Sequence, residues 1–130
     1  MVLSAAEPQL FVTDFGRSAA FFAKLGFAPV FAYGAPPFYG QVARDAARLN
    51  LRHVDRPVID DALRRHEALL SATIPVETGG AIEVLFLEFQ AAGIPFHQKL
   101  RTEPWGSRAF IIRDPDGNLL LFAGPADESR

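Results

Sequence analysis

A chain of 130 residues that is 49% hydrophobic and contains no Cys can bury one core but has no disulfide, thiolate metal ligand or thiol nucleophile. A formal charge of -2 and a pI near 5.9 leave no basic stripe for phosphates, which argues against nucleic acid as a partner. No apolar run approaches the ~20 residues that span a bilayer. The N-terminal MVLSAAEPQLF has neither a basic leader nor a long apolar stretch, so the expectation is a cytoplasmic protein with no membrane partner.

In chain order, Pro8 to Thr13 predicts a strand, and Asp14 is placed to cap a helix. In that helix Ser18, Phe21, Phe22 and Leu25 fall at i, i+3, i+4 and i+7, and Gly26 closes it. Strands follow over Ala28 to Tyr33, Phe38 to Arg44 and Arg48 to His53, the last alternating Leu49 and Leu51 with Asn50 and Arg52. Residues 54 to 70 break this pattern at Pro57 and read as a connector, with a helix from about Asp60. Ser71 to Val76 resumes a strand. Ile82, Leu85, Phe86 and Phe89 then repeat the spacing of the first helix, ahead of Gly93.

The most informative stretch is Glu103 to Phe122, EPWGSRAFIIRDPDGNLLLF. Arg108 to Arg113 and Asn118 to Phe122 read as paired strands joined by Asp114-Pro115-Asp116-Gly117, where Pro presets a turn φ and Gly accepts a positive one. Pro104-Trp105-Gly106 sets the single Trp in a loop. A shift of 64 positions superposes Val12 on Val76, Phe22 on Phe86 and Leu25 on Phe89, and a shift of about 69 sets Arg44-Asp45 on Arg113-Asp114. The reading is an internal repeat in which each half runs strand, helix, three strands. One helix covers one face of such a sheet, and the other face must bury its side chains or enclose a ligand.

The segments TDFGRSAAFFAKLGF and EFQAAGI, and above all EPWGSRAFIIRDPDGNLLLF, resemble the vicinal oxygen chelate superfamily, which includes glyoxalase I, extradiol dioxygenases and bleomycin resistance proteins. The resemblance covers roughly Pro8 to Gly124, and P-W-G followed by Arg and Phe is most similar to the bleomycin-resistance branch. It implies an α+β fold of two paired βαβββ modules, about 8–53 and 71–124, forming half-open mixed sheets around a pocket. It also implies a homodimer with pockets shared between chains.

Enzymes of this superfamily hold a divalent metal on first and last strands of each module. By motif those positions fall near Glu7, Ser71, Asn50 or Leu51, and at Leu121, and only Glu7 is a competent ligand. The expectation is therefore no metal, no cofactor and no catalytic residue. A divergent metal site using Glu7, His53 or His97, in a lyase, isomerase or dioxygenase, is the alternative. The acidic pair Asp60 and Asp61 reads as a helix start, and Arg64-Arg65 as a solvated helix face.

The load of 12 Phe, 2 Tyr and 1 Trp is mostly core, with Phe21, Phe22, Phe86 and Phe89 on the helix faces. Tyr33, Phe38, Tyr39 and Trp105 lie beside Pro or Gly, free to stack on a planar guest. Trp105 has two readings, a staple for its own loop or a pocket wall, and the resemblance favours the wall. Arg52, Arg108 and His53 complete the expected ligand-binding set, with solvated or ion-paired side chains as the plainer reading. Bleomycin-binding members are strongly acidic and this chain is not, so the expected guest is a planar aromatic antibiotic or metabolite, with bleomycin itself in doubt.

Overall fold

The computed structural model describes residues 1–126. In order they form β1 (Gln9–Val12), α1 (Phe15–Lys24), β2 (Ala28–Tyr33), β3 (Tyr39–Arg44), β4 (Ala47–His53), α2 (Asp61–Glu67), β5 (Leu70–Pro75), α3 (Gly79–Ala91), β6 (Phe96–Thr102), β7 (Arg108–Arg113) and β8 (Leu119–Gly124). The chain divides into two compact units, Met1–Val58 and the part from Ile59 onward. Each holds one four-stranded sheet, ordered β1-β4-β3-β2 in the first and β5-β8-β7-β6 in the second. β1 runs parallel to β4 and β5 to β8, while the remaining pairs are antiparallel, so both sheets are mixed and the fold is α+β. The repeat read from the sequence is thus a repeat of topology.

In the first unit the Asp14 carboxylate caps α1 by accepting from Arg17 N at 3.1 Å. Of the face the spacing predicts, Ser18, Phe22 and Leu25 are fully buried and Phe21 half-buried, and Leu10, Val12, Val42, Leu49 and Leu51 of the sheet are buried in the same unit. A side chain of this size contributes ~1.5–3 kcal/mol when buried. Gly40 is what lets helix and sheet approach: a Cβ there would stand 2.6 Å from the Phe15 ring and 2.6 Å from the Phe31 carbonyl oxygen.

In the second unit Thr78, 64 residues after Asp14, caps α3 by accepting from Ala81 N at 3.0 Å. Ile82 and Phe89 are fully buried and Phe86 half-buried. Phe110 is the hub of this core, its ring meeting those of Phe86, Phe89, Phe96 and Phe122 at 5.3–5.8 Å.

The β7–β8 turn is held by one side chain. Asp114 Oδ1 accepts from Asp116 N at 2.9 Å and Asn118 N at 2.7 Å, and its Oδ2 accepts from Asn118 Nδ2 at 2.9 Å. Burial pushes the Asp114 carboxyl up to about 6, against the opposing pull of the Asn118 donors. Gly117 takes φ +81°, and a Cβ there would collide with Asp61 Oδ1. Asp61 itself pairs with Arg65 at 3.1 Å and with Arg113 at 3.4 Å, and Arg64, 4% exposed, donates to the Asp116 carbonyl at 3.2 Å. Arg64 is therefore buried against the turn, which corrects its reading as a solvated helix face. The solvated reading holds only for Arg65, which faces outward on the next position.

Candidate functional site

Strand alternation separates two faces of each sheet. In β3, Gly40 faces the Phe15 ring of α1, so its neighbours Tyr39 and Gln41 point to the face turned away from that helix. Register then fixes who shares this open face. Tyr33, Tyr39, Arg52 and Phe11 are successive partners across all four strands, and so are Phe31, Gln41, Asn50 and Gln9. Directly paired residues stand side by side on one face. The Phe31 and Tyr39 rings meet at 5.8 Å, linking the two rows.

A hydrogen-bonded chain runs through the second row. Arg48 Nη1 donates to Gln41 Oε1 at 2.8 Å, and Gln41 Nε2 donates to Glu7 Oε1 at 3.1 Å and to Asn50 Oδ1 at 2.8 Å. Arg can only donate and an ionised carboxylate can only accept, so the chemistry of its neighbours dictates the orientation of the buried Gln41 amide. Neither Gln41 nor Arg48 stands out in the sequence. Gln41 becomes legible only when β3 is set in register with β4, opposite Asn50.

The face of the second sheet turned away from α3 has another character, and Ala109 and Ile111 on it are buried. Gly124 faces Ile82 of α3, so Ala123 and Leu121 point away from the helix, with Ala109, Ile111 and Thr73 as their register partners. Polar groups gather near its edge. Glu103, 7% exposed, accepts from Gln98 Nε2 at 3.1 Å and from Arg101 at 3.2 and 3.3 Å, and the Arg101 hydrogen bond holds its carboxyl below the usual carboxylate range. The same residue closes the loop to β7, its N–H donating to the Ser107 carbonyl at 2.7 Å while its own carbonyl accepts from Gly106 N at 2.8 Å. Trp105 rides on that anchored loop with 76% of its surface exposed. Its ring is presented outward.

The seven expected ligand contacts are distributed as follows. Tyr33, Tyr39 and Arg52 share one row of the first sheet's open face, and Phe38 extends it, its ring 5.6 Å from that of Tyr33. His53 is the register partner of the core residue Val12, and its Nε2 lies 3.3 Å from Asp55 Oδ1. Trp105 and Arg108 belong to the second unit. Arg108 pairs with Gly124 in register, on the α3 side of the sheet, and bonds Glu83 of that helix at 3.3 Å. Three of the seven thus form one row, while Arg108 and His53 each have an acidic neighbour.

The residues at the superfamily's metal positions do not supply what a hard divalent cation takes, several oxygen or imidazole ligands converging on a point. In the first unit Glu7 and Asn50 both turn oxygens to the Gln41 amide nitrogen. In the second, Ser71 Oγ donates to Asn118 Oδ1 at 3.1 Å, and Leu121 sits between Thr73 and Ile111 in register. No group of three His, Asp or Glu among the described residues could hold a metal ion.

Family comparison decides the lineage. Residues 4–122 match the Glyoxalase/Bleomycin resistance protein/Dioxygenase superfamily. The chain belongs to this superfamily. Among solved structures it is similar to a glyoxalase/bleomycin resistance protein/dioxygenase from Alicyclobacillus acidocaldarius, with TM-score 0.76 and 19% identity over 96% of this chain and 93% of that one. A bleomycin-binding protein from bleomycin-producing Streptomyces verticillus, complexed with copper(II)-bleomycin, superposes with TM-score 0.71 and 25% identity over 98% and 99% of the two chains. A lactoylglutathione lyase from Agrobacterium tumefaciens gives 0.70 and 19% over 93% and 92%. No curated protein matches the chain in sequence. Superfamily members of this shape therefore include both binding proteins and enzymes, and the residues of the site must distinguish them. No described helix is long and apolar enough to cross a membrane.

Proposed function

We propose that this superfamily member is a metal-free small-molecule binding protein of the bleomycin-resistance type, which sequesters a planar aromatic antibiotic or metabolite at a homodimer interface in the cytoplasm. The observation that carries this reading is the row Tyr33, Tyr39, Arg52 and Phe11 on the first sheet's open face, rings flanking a cation with a hydrogen-bonded polar row beside them. Rings give area for stacking and the polar groups orient the guest, while no side chain there is set up as nucleophile or general base. Likeness to a bleomycin-binding protein supports the same reading. Trp105, exposed on its anchored loop, is a further stacking surface.

Sequestration makes and breaks no bond, so protection must be stoichiometric. Titration of metal-checked protein with aromatic antibiotics and metabolites, bleomycin included, is expected to saturate at one ligand per chain and to quench Trp105. Turnover of many ligand equivalents by one protein equivalent, or a divalent ion held tightly at one per chain, would sink the proposal. Replacing the indole, Trp105→Ala, is expected to weaken binding by ~1–3 kcal/mol, the scale of aromatic stacking on a planar base. Undiminished affinity in the folded variant removes Trp105 from the site.

A further inference from the structure

Resting on that reading of the site, we infer that its guest is anionic: an aromatic compound carrying a carboxylate-like oxygen group that docks on Arg52 and Asn50. The hydrogen-bonded chain is what points there. Gln41 must turn its oxygen to Arg48 and its nitrogen to Glu7, and that nitrogen then takes Asn50 Oδ1 at 2.8 Å. With its oxygen engaged inside the row, Asn50 is left with its amide N–H groups as the free part of the side chain. Two residues along β4 and on the same face lies Arg52, whose side chain makes no hydrogen bond or ion pair within the described residues.

Between the two rows Asn50 and Arg52 therefore present amide and guanidinium donors side by side. On this face the single negative charge of Glu7, which bonds the Gln41 amide, stands against the two positive charges of Arg48 and Arg52, so one cation is left in excess. An acceptor that is both charged and planar matches this pair, because guanidinium bonds to carboxylate are charge-assisted and can be bidentate. Tyr39 and Phe11, the register partners of Arg52 on either side, set rings beside the cation, where the body of an aromatic acid would lie. A cationic guest would meet the guanidinium as a like charge. The inference thus separates this chain from a binder of cationic drugs by a site residue as well as by its net charge of -2.

The test uses three probes of one shape: 2-naphthoate, 2-naphthylmethanol and 2-naphthylmethylamine, titrated by calorimetry with amide chemical shifts mapping the location. Naphthoate is expected to bind at least ~10-fold more tightly than the alcohol, the amine more weakly than both, with the largest shifts at Asn50 and Arg52. Arg52→Gln should bring naphthoate down to the level of the alcohol, Arg52→Lys should keep part of the preference, and Arg56→Gln, in the exposed connector, should bind naphthoate as the natural chain does. Alcohol and amine binding on this face as tightly as naphthoate overturns the anionic specificity and leaves the binding function standing. Failure of all three to bind overturns both. An Arg52→Gln variant that retains the full preference also overturns the assignment.

Discussion

The two sheets share strand order, pairing sense and a capped helix on one face, yet their open faces differ in kind. The first carries Gln41, Arg48, Asn50 and Arg52 among Phe11, Tyr33 and Tyr39, while the second carries Ala109, Ile111, Leu121 and Ala123, with Arg101 and Glu103 near one edge and Arg113, paired to Asp61, at the end of β7. Topology depends on the helix-side residues, which must be apolar and close-packed in both units. The residues between them differ, with polar groups around the buried Gln41 in the first unit and the buried apolar Ala109 and Ile111 in the second. A duplicated fold can therefore hold its shape through every second strand residue and change its chemistry through the others.

The comparison can be broken first at the helix side, where the effects are largest. Phe110→Ala, which removes the hub of the second core, is expected to cost ~3–5 kcal/mol by urea unfolding, and Phe22→Ala a similar amount in the first. A cost below about 1 kcal/mol at either position would mean that unit does not depend on its helix-side packing.

Next in size is a difference in pH response. The Asp114 carboxyl is raised in the folded state to about 6, above its ordinary 3.8, because burial disfavours its charge. Its stabilising contribution is therefore fully present below about pH 4 and is lost as pH rises to about 6, on the order of 3 kcal/mol in all. The turn between β3 and β4 has Asp45 at the corresponding place, but exposed. Urea midpoints from pH 4 to 7 should fall with this profile and lose most of that slope in Asp114→Asn, whereas Asp45→Asn leaves it in place.

A methyl group at Gly117 would combine a strained positive φ with a collision against Asp61, and Gly117→Ala is expected to cost ~1–3 kcal/mol, partly recovered by Asp61→Ser. Smallest are exchanges of polarity between the open faces. Leu121→Gln should cost about 1–2 kcal/mol by placing an amide beside Thr73 and Ile111, and Asn50→Leu about 1 kcal/mol by taking one acceptor from Gln41. If both exchanges prove neutral, the two faces are chemically interchangeable and the contrast between them carries no function.

The helix-side half of the molecule was legible in the sequence because it is written locally. Caps, apolar spacing, and the Asp-Pro-Asp-Gly turn each lie within a few residues, which is why α1, α3 and the β7–β8 hairpin fall where the sequence predicts. β6 was harder to place, since Phe96 to Thr102 has no clean alternation and pairs with β7 through repeated register shifts. The open face is written non-locally. Gln41 and Arg48 acquire meaning only through the β3–β4 register, and the difference between Arg52, unpaired beside rings, and Arg108, bonded to Glu83, is one of strand parity. Similarly, Arg64 looks like a surface charge until the turn at Asp116 folds over it.

The strand orders also impose a schedule on the growing chain. β4 inserts between β1 and β3, so Gln9–Val12 finds no sheet partner until residues 47–53 have been made, and β5 waits in the same way for Leu119–Gly124. In each unit the earliest strand made is thus among the last to be paired. The first unit can close while the ribosome is still supplying the second, leaving one unpaired strand at a time for chaperones to shield.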